Sequence, residues 1–374
     1  MISVAGYSGC GIQVFRAPGK GSKHFVLEKN SPNASYAPRL LLQAHKQAFF
    51  YSQFDCQGSR GQQQHQLPLS PATPGASPAM VAVPYLEYVK ITVVERTEDG
   101  EERAVTETMT GGDVDLLLKA SRRPGVVHAV MGMHFERHSE ALSYLQGTTI
   151  YGVRSLGSTL AKLVRSFVAH SPVTEVPTDL FSSKLKAVED NLRKCEFIPA
   201  EDKRYLLEVA LPLVCQQYLA EGAVLRIPVG RCHGDLTLSN VLIVPEEDDS
   251  GTPTTFRKGT PMRVILIDFL DSFVESPLAD LAKLCQDLRF GWTLRLTRDE
   301  CEAKGKASPH DATKLFNILD FLWTGYIQPE FKDETWFQQY ITLFCVVNQL
   351  RVLQYSTNAQ LAHYLTNTVR ELLS

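Results

Sequence analysis

Two short apolar runs, each ending against an amide or an acid, constrain this chain more than any other part of it. Asn240 opens Val241-Leu242-Ile243-Val244, and 28 residues beyond Asn240 the run Val264-Ile265-Leu266-Ile267 closes on Asp268. Short apolar runs bounded by polar and turn-forming residues read as buried strands, and two of them joined by a turn-rich segment read as a hairpin. Such a hairpin carries an asparagine where it starts and a carboxylate where it ends. Immediately before it lies Arg231-Cys232-His233-Gly234-Asp235-Leu236-Thr237-Leu238-Ser239, which puts Asp235 five residues ahead of Asn240.

The rest of the composition narrows the class. At roughly 150 residues per domain, a chain of 374 residues implies two or three domains. A hydrophobic share of 44% and a charged share of 21% are those of an ordinary globular protein, and 24 glycines with 20 prolines exclude a collagen. No apolar run approaches the ~18 residues that span a bilayer. The opening MISVAGYSGC has neither a basic segment nor a long apolar core, so it does not read as a signal peptide. The expectation is a cytoplasmic protein with no membrane partner. A net charge of −3 gives no electrostatic reason to bind nucleic acid, and the Arg122-Arg123 pair reads as solvated loop charge. Eight scattered cysteines without a CxxC pair fit reduced thiols, and support neither a disulfide framework nor a zinc ribbon.

Along the chain, the first third reads as strands and loops and the remainder mainly as helices. Ile12–Phe15 and His24–Lys29, separated by a Gly/Lys-rich turn, make a hairpin, and Arg39–Tyr51 has helical composition. Residues 57–79, rich in Gln, Pro, Ser and Gly, hold little that burial could repay and are expected as a mobile insertion. Strand signals return over Met80–Val94 and Arg103–Met109, around an Asp-Gly turn. Helical stripes follow at Leu156-Leu160-Leu163-Val164-Phe167 and at Phe181-Leu185-Val188-Leu192. Another helix covers 200–222 with Pro212 as a kink, and a last stripe runs from Trp336 to Leu350.

An Asp and an Asn five apart on one loop, with a second Asp at the end of a buried strand, suit phosphoryl transfer. That chemistry needs a carboxylate to orient and deprotonate a hydroxyl, and oxygen ligands for the Mg²⁺ that bridges the phosphates. HGDLTLSN followed by LIDF resembles the catalytic loop and metal-binding segment of the aminoglycoside phosphotransferase/choline kinase-like families, small-molecule kinases with a protein-kinase-like fold. The resemblance covers 231–282 directly. It implies Asp235 as catalytic base, His233 as the histidine bracing the loop, Asn240 and Asp268 as Mg²⁺ ligands, and a structural role for Asp280 within Ser276-Pro277-Leu278-Ala279-Asp280-Leu281-Ala282. ATP and Mg are the implied cofactors, with a small-molecule hydroxyl as acceptor. Gly234, where protein kinases usually carry Arg, points to a small-molecule kinase.

The amino-terminal elements complete the expectation. Gly6, Ser8, Gly9 and Gly11 fall in a glycine cluster that would cover the phosphates or else form an ordinary turn. Lys29 shares a strand face with Phe25 and Leu27 and would reach the α/β-phosphates, with Lys23 as its rival. Only five residues precede Gly6, few for a full first strand. Helix 39–51 offers no acid to pair with Lys29, which leaves Gln43 as a neutral substitute. His134 and His138 stand four apart, but no third ligand is evident, so a hinge with solvated histidines is preferred to zinc. Glu246–Asp249 reads as a solvated hairpin tip, and Asp271 as either a neighbour of the metal or a turn cap. The expected architecture is α+β and two-lobed: a small β-rich lobe over 1–137 and a mostly helical lobe over 138–374. Two rivals accompany it. A pseudokinase that binds nucleotide or acts as a scaffold is favoured by the missing helix acid and the short start. A protein kinase is opposed by Gly234 and by the lack of an APE-like segment after Asp268.

Overall fold

The computed structural model describes residues 2–5, 10–16, 25–53, 66–69, 79–96, 99, 101–135, 138–220, 222–244, 263–308 and 311–374. In chain order its elements are β1 (Ile2–Ala5), β2 (Gly11–Arg16), β3 (Phe25–Asn30), α1 (Ala37–Gln53), β4 (Gln66–Leu69), β5 (Ala79–Ala82), β6 (Leu86–Arg96), β7 (Glu102–Thr110), α2 (Val114–Ser121), β8 (Val126–Phe135), β9 (Ser139–Glu140) and α3 (Ala141–Gly147). There follow α4 (Ile150–Ala169), β10 (Val173–Pro177), α5 (Asp179–Lys194), α6 (Ala200–Tyr205), α7 (Leu211–Tyr218), β11 (Val224–Pro228), β12 (Val241–Val244) and β13 (Arg263–Leu266). The chain ends with α8 (Pro277–Leu288), α9 (Trp292–Ala303), α10 (Ala312–Leu322), α11 (Gln328–Phe331), α12 (Thr335–Leu353) and α13 (Ala359–Leu373). The fold is α+β. It divides into two compact units, Met1–Tyr144 with Ser239–Asp271, and Leu145–Leu238 with Ser272–Ser374.

The first unit is built on a six-stranded antiparallel sheet in the order β1-β2-β3-β8-β6-β7. The β2–β3 hairpin forms as the sequence implies, with Ile12 opposite Lys29, and β6 and β7 pair from Tyr88↔Thr110 to Arg96↔Glu102. Met131–His138, expected from the sequence as the hinge, begins inside β8, where Met131 pairs with Lys29 of β3 on one side and with Val89 of β6 on the other. Burial of a central strand explains its near-continuous hydrophobicity. Helices α1 and α2 contribute Leu40, Leu41, Ala44, Ala48 and Leu117 to a core shared with Leu86, Val89, Ile91, Val93 and Met131. Asp113 caps α2 by accepting from the Leu116 amide.

A second sheet of this unit runs β4-β5-β13-β12-β9. Strand β13 pairs in parallel with β5, and β12 pairs with β9, so the 241–266 hairpin joins the first unit although it follows residue 138 in sequence. The division accordingly falls after Tyr144 rather than after 137, with an excursion back at Ser239–Asp271. Within 57–79, expected as a mobile insertion, Gln66–Leu69 forms β4 and pairs antiparallel with β5. Backbone hydrogen bonds supply what its side-chain composition does not.

The second unit is helical apart from the β10–β11 ribbon. Its centre is α8, whose Leu278, Leu281, Leu284 and Leu288 are all buried, and Phe181 packs edge-on against Phe344 nearby in the core. Ser276 starts α8 by accepting from the Leu278 amide, and Pro277, which has no amide to satisfy, takes the first turn. The kink expected at Pro212 takes the form of a π-helical turn at Leu206–Ala210, and a second such turn, Trp323–Ile327, precedes Pro329 with the same spacing. A widened turn accommodates a proline ring that would clash with the carbonyl four residues back.

Candidate functional site

In the first unit the site grows from the ends of three strands and one helix. Strand β3 places Lys29 inside, 1% exposed, where its ammonium donates to Asp268 Oδ1 at 2.8 Å and to Gln43 Oε1 at 3.1 Å. Burial works to lower the Lys29 pKa, but the charge and hydrogen bond of Asp268 more than reverse it, so the pKa lies above the usual lysine value. Gln43, Lys46 and Phe50 recur along one face of α1. Lys46 Nζ donates to the Leu270 carbonyl at 2.6 Å, and the Phe50 ring stacks on Phe269 at 4.9 Å. One helix face therefore contacts both the strand lysine and the segment after β13.

The hairpin brings Asn240 and Asp268 to the same end. Val241 faces Leu266 across the ladder, and the Ile267 amide donates to the Asn240 carbonyl at 3.1 Å, which leaves Asp268 as the next residue out. Asp268 has φ of 60°, the left-handed region that aspartate tolerates better than most residues. Asn240 is largely buried, whereas the Asp268 side chain is 32% exposed. Among the described residues no group of three or more His, Cys, Asp or Glu could hold a metal. Mg²⁺ at a nucleotide site takes only one or two protein oxygen ligands, the rest coming from phosphates and water, so an Asn and an Asp are a fitting donor set.

In the second unit the site is the loop 231–238, held chiefly by α8. Both oxygens of the fully buried Asp280 accept loop amides, from His233 at 2.6 Å and Gly234 at 2.8 Å. Gly234 adopts φ of 87°, where a side chain would strain the backbone, so glycine at this position answers a conformational demand. His233 is fully buried, and its Nδ1 accepts from the Asp235 amide at 3.2 Å, which leaves the ring proton on Nε2. Asp287 closes the far end, accepting from Leu238 N at 2.5 Å and Thr293 N at 2.6 Å. Burial pushes its carboxyl up to about 6, against the opposing pull of those amides and of Lys283. Lys283 Nζ pairs with Asp235 Oδ1 at 2.9 Å. At the near end Ser171 Oγ accepts the Arg231 amide, and Glu275 accepts from Cys232 Sγ and from Ser272 N.

Each unit thus gathers part of the expected constellation: Lys29, Gln43, Asn240 and Asp268 in the first, His233 and Asp235 in the second. Gly6, Ser8 and Gly9 lie outside the described residues, as do Lys23 and Glu246–Asp249. Gly11 opens β2, and a Cβ there would meet only an ordinary contact 3.9 Å from Asn30 Cβ, so nothing described at that position requires glycine. β1 forms from the four residues 2–5. Asp271 is exposed. Sequence reasoning missed Lys46, Lys283 and Asp287. The signal for Asp287 was its place seven residues after Asp280, on the same helix face.

No family model and no curated protein matches the sequence. Among solved structures the chain is similar to a glucosamine kinase in complex with glucosamine, ADP and inorganic phosphate, at 12% identity and a TM-score of 0.41, over 66% of this chain and 64% of that one. It therefore spans less than two thirds of that kinase. It is also similar to an aminoglycoside-3'-phosphotransferase of type VIII, at 15% identity and a TM-score of 0.33 over 86% of this chain and 92% of that one. An aminoglycoside phosphotransferase from Streptomyces rimosus aligns over the same shares, at 18% identity and a TM-score of 0.30. No described helix is long and apolar enough to cross a membrane.

Proposed function

We propose that the chain is an ATP-dependent phosphotransferase that moves the γ-phosphoryl group to a hydroxyl of a small molecule. The observation that carries this reading is the buried Lys29 ammonium 2.8 Å from the Asp268 carboxylate, on a hairpin that sets Asn240 beside it. A buried lysine joined to a strand-end acid suits the binding of phosphates and their metal. Lys29 would bind the α/β-phosphates, while Asn240 and Asp268 would hold Mg²⁺. When bound, that ion would neutralise charge on the phosphate oxygens. Asp235 would orient the acceptor hydroxyl and take its proton, and His233 and Asp280 would hold the loop that carries it. Loop amides that donate to buried carboxylates supply the preorganisation such a base needs.

One observation favours a second reading, a nucleotide-binding module without transfer. The helix partner of Lys29 is the neutral Gln43, which anchors an ammonium less firmly than a carboxylate would. Release of ADP from Mg·ATP across a panel of hydroxyl metabolites, with glucosamine and aminoglycosides among the probes, separates the two. Acceptor-dependent ADP release supports the phosphotransferase; Mg·ATP binding with no release by any acceptor supports the module.

A further inference from the structure

We propose that Lys283 is a positioning residue for Asp235, holding the carboxylate of the base in one orientation. The proposal rests on the phosphotransferase reading of the site. Three side chains of α8, at positions 280, 283 and 287, each contact the same loop. Asp280 takes the amides of His233 and Gly234, and Asp287 takes the amide of Leu238, so the backbone is fixed on both sides of Asp235. The third contact is different in kind. Lys283 Nζ reaches no loop amide or carbonyl but the Asp235 carboxylate itself, at 2.9 Å.

Its setting argues against a mere tie between helix and loop. The Lys283 and Asp235 side chains are 17% and 24% exposed, and an ion pair that water reaches adds little to stability. The tie is moreover redundant, because three amide–carboxylate bonds already fasten the loop. What those bonds leave to other contacts is the torsion of the Asp235 side chain. An ammonium rooted in a buried helix and also near the Asp287 carboxylate restricts that torsion. A base displaced by an ångström loses much of its rate advantage, so this restriction acts on turnover.

The test uses the full chain with Mg·ATP as the probe and water as the acceptor, and reads ADP release, nucleotide affinity and melting temperature. Lys283→Met should lower kcat by roughly 10–100-fold and leave the KM for Mg·ATP within about twofold. Lys283→Arg, which keeps the cation, should restore most of the rate. In an Asp235→Asn background Lys283→Met should cost nothing further, since its effect passes through the carboxylate. Melting temperature, measured without turnover, should change little in Lys283→Met, because an ion pair that water reaches adds little to stability. Full kcat in Lys283→Met overturns the proposal. So does a parallel loss of melting temperature and nucleotide affinity, or a further rate loss in the Asp235→Asn background. If wild type and Asp235→Asn release ADP at the same rate, the assignment of the base fails, and the role of Lys283 fails with it. That outcome is distinct from one in which Asp235 matters and Lys283 does not.

Discussion

The loop at 233–238 and the segment at 268–270 are held by opposite means. In the loop, buried carboxylates of one helix bind backbone amides, so the chain itself is fixed whatever its exposed side chains do. At 268–270 the grip comes mainly from side chains: the Lys29 ammonium on a carboxylate, Lys46 on a carbonyl and Phe50 on a ring. The first arrangement suits a group that must stay in place through a reaction. On the proposed reading, the second would suit a group whose charge is shared with a phosphate or a cation, since Lys29 and Asp268 pair with each other here.

The comparison is broken most readily at Asp235. Asp235→Asn keeps size and hydrogen bonding but cannot take a proton, so turnover should fall by about 10²–10⁴-fold with nucleotide affinity nearly unchanged. An unchanged rate with a confirmed acceptor would remove the loop from the chemistry. Next in size is the pH dependence of the loop's anchor. The Asp287 carboxyl titrates at about 6 in the fold against 3.8 unfolded, so wild type loses stability as pH rises through that window, by roughly 3 kcal/mol. Asp287→Asn lacks this loss. Unfolding of both proteins in urea at several pH values should give a wild-type advantage that shrinks as pH rises and levels off above about pH 6. An advantage that grows with pH would mean that the anchor gains from being charged.

Asp268→Ala probes the other region. It strands Lys29 with Gln43 alone, which should cost roughly 2 kcal/mol after discounting for the partial exposure of Asp268. It should also abolish most of the thermal stabilisation by Mg·ATP. Nucleotide stabilisation that survives in the variant would break the metal assignment. Gln43→Glu should have the smallest effect, on the order of 1 kcal/mol or less, as a few-fold tightening of nucleotide binding in a titration. Weaker binding would show that a second acid disturbs the balance between Lys29 and Asp268.

Much of the site is legible in the amino-acid sequence. The apolar runs at 241–244 and 264–267 sit between polar boundaries, and pairing strands from such runs must bring Asn240 and Asp268 together. Gln43 is legible by elimination, since helix 39–51 offers no acid. Lys283 is not, because a charged residue in an amphipathic-looking helix reads as solvated, and for Asp287 the seven-residue spacing from Asp280 was the one signal the sequence held. β8 hides for a related reason: Ala129–Met133 has no alternation, and a run that short suits a strand or a buried helix equally. β4 carries too little apolar surface to announce itself, since backbone pairing with β5 leaves no mark in composition.

The spacing of 280, 283 and 287 on α8 also bears on how such a protein can be recombined. Loop 231–238 and helix 277–288 lie some forty residues apart in sequence yet fit as lock and key, so a chimaera that takes one parent's loop and another's helix inherits mismatched halves. Crossovers placed before Arg231 or after Leu288 keep the pair together. Crossovers inside the 241–266 hairpin separate them, and a shuffled library should be depleted of such breakpoints even where both parents are stable.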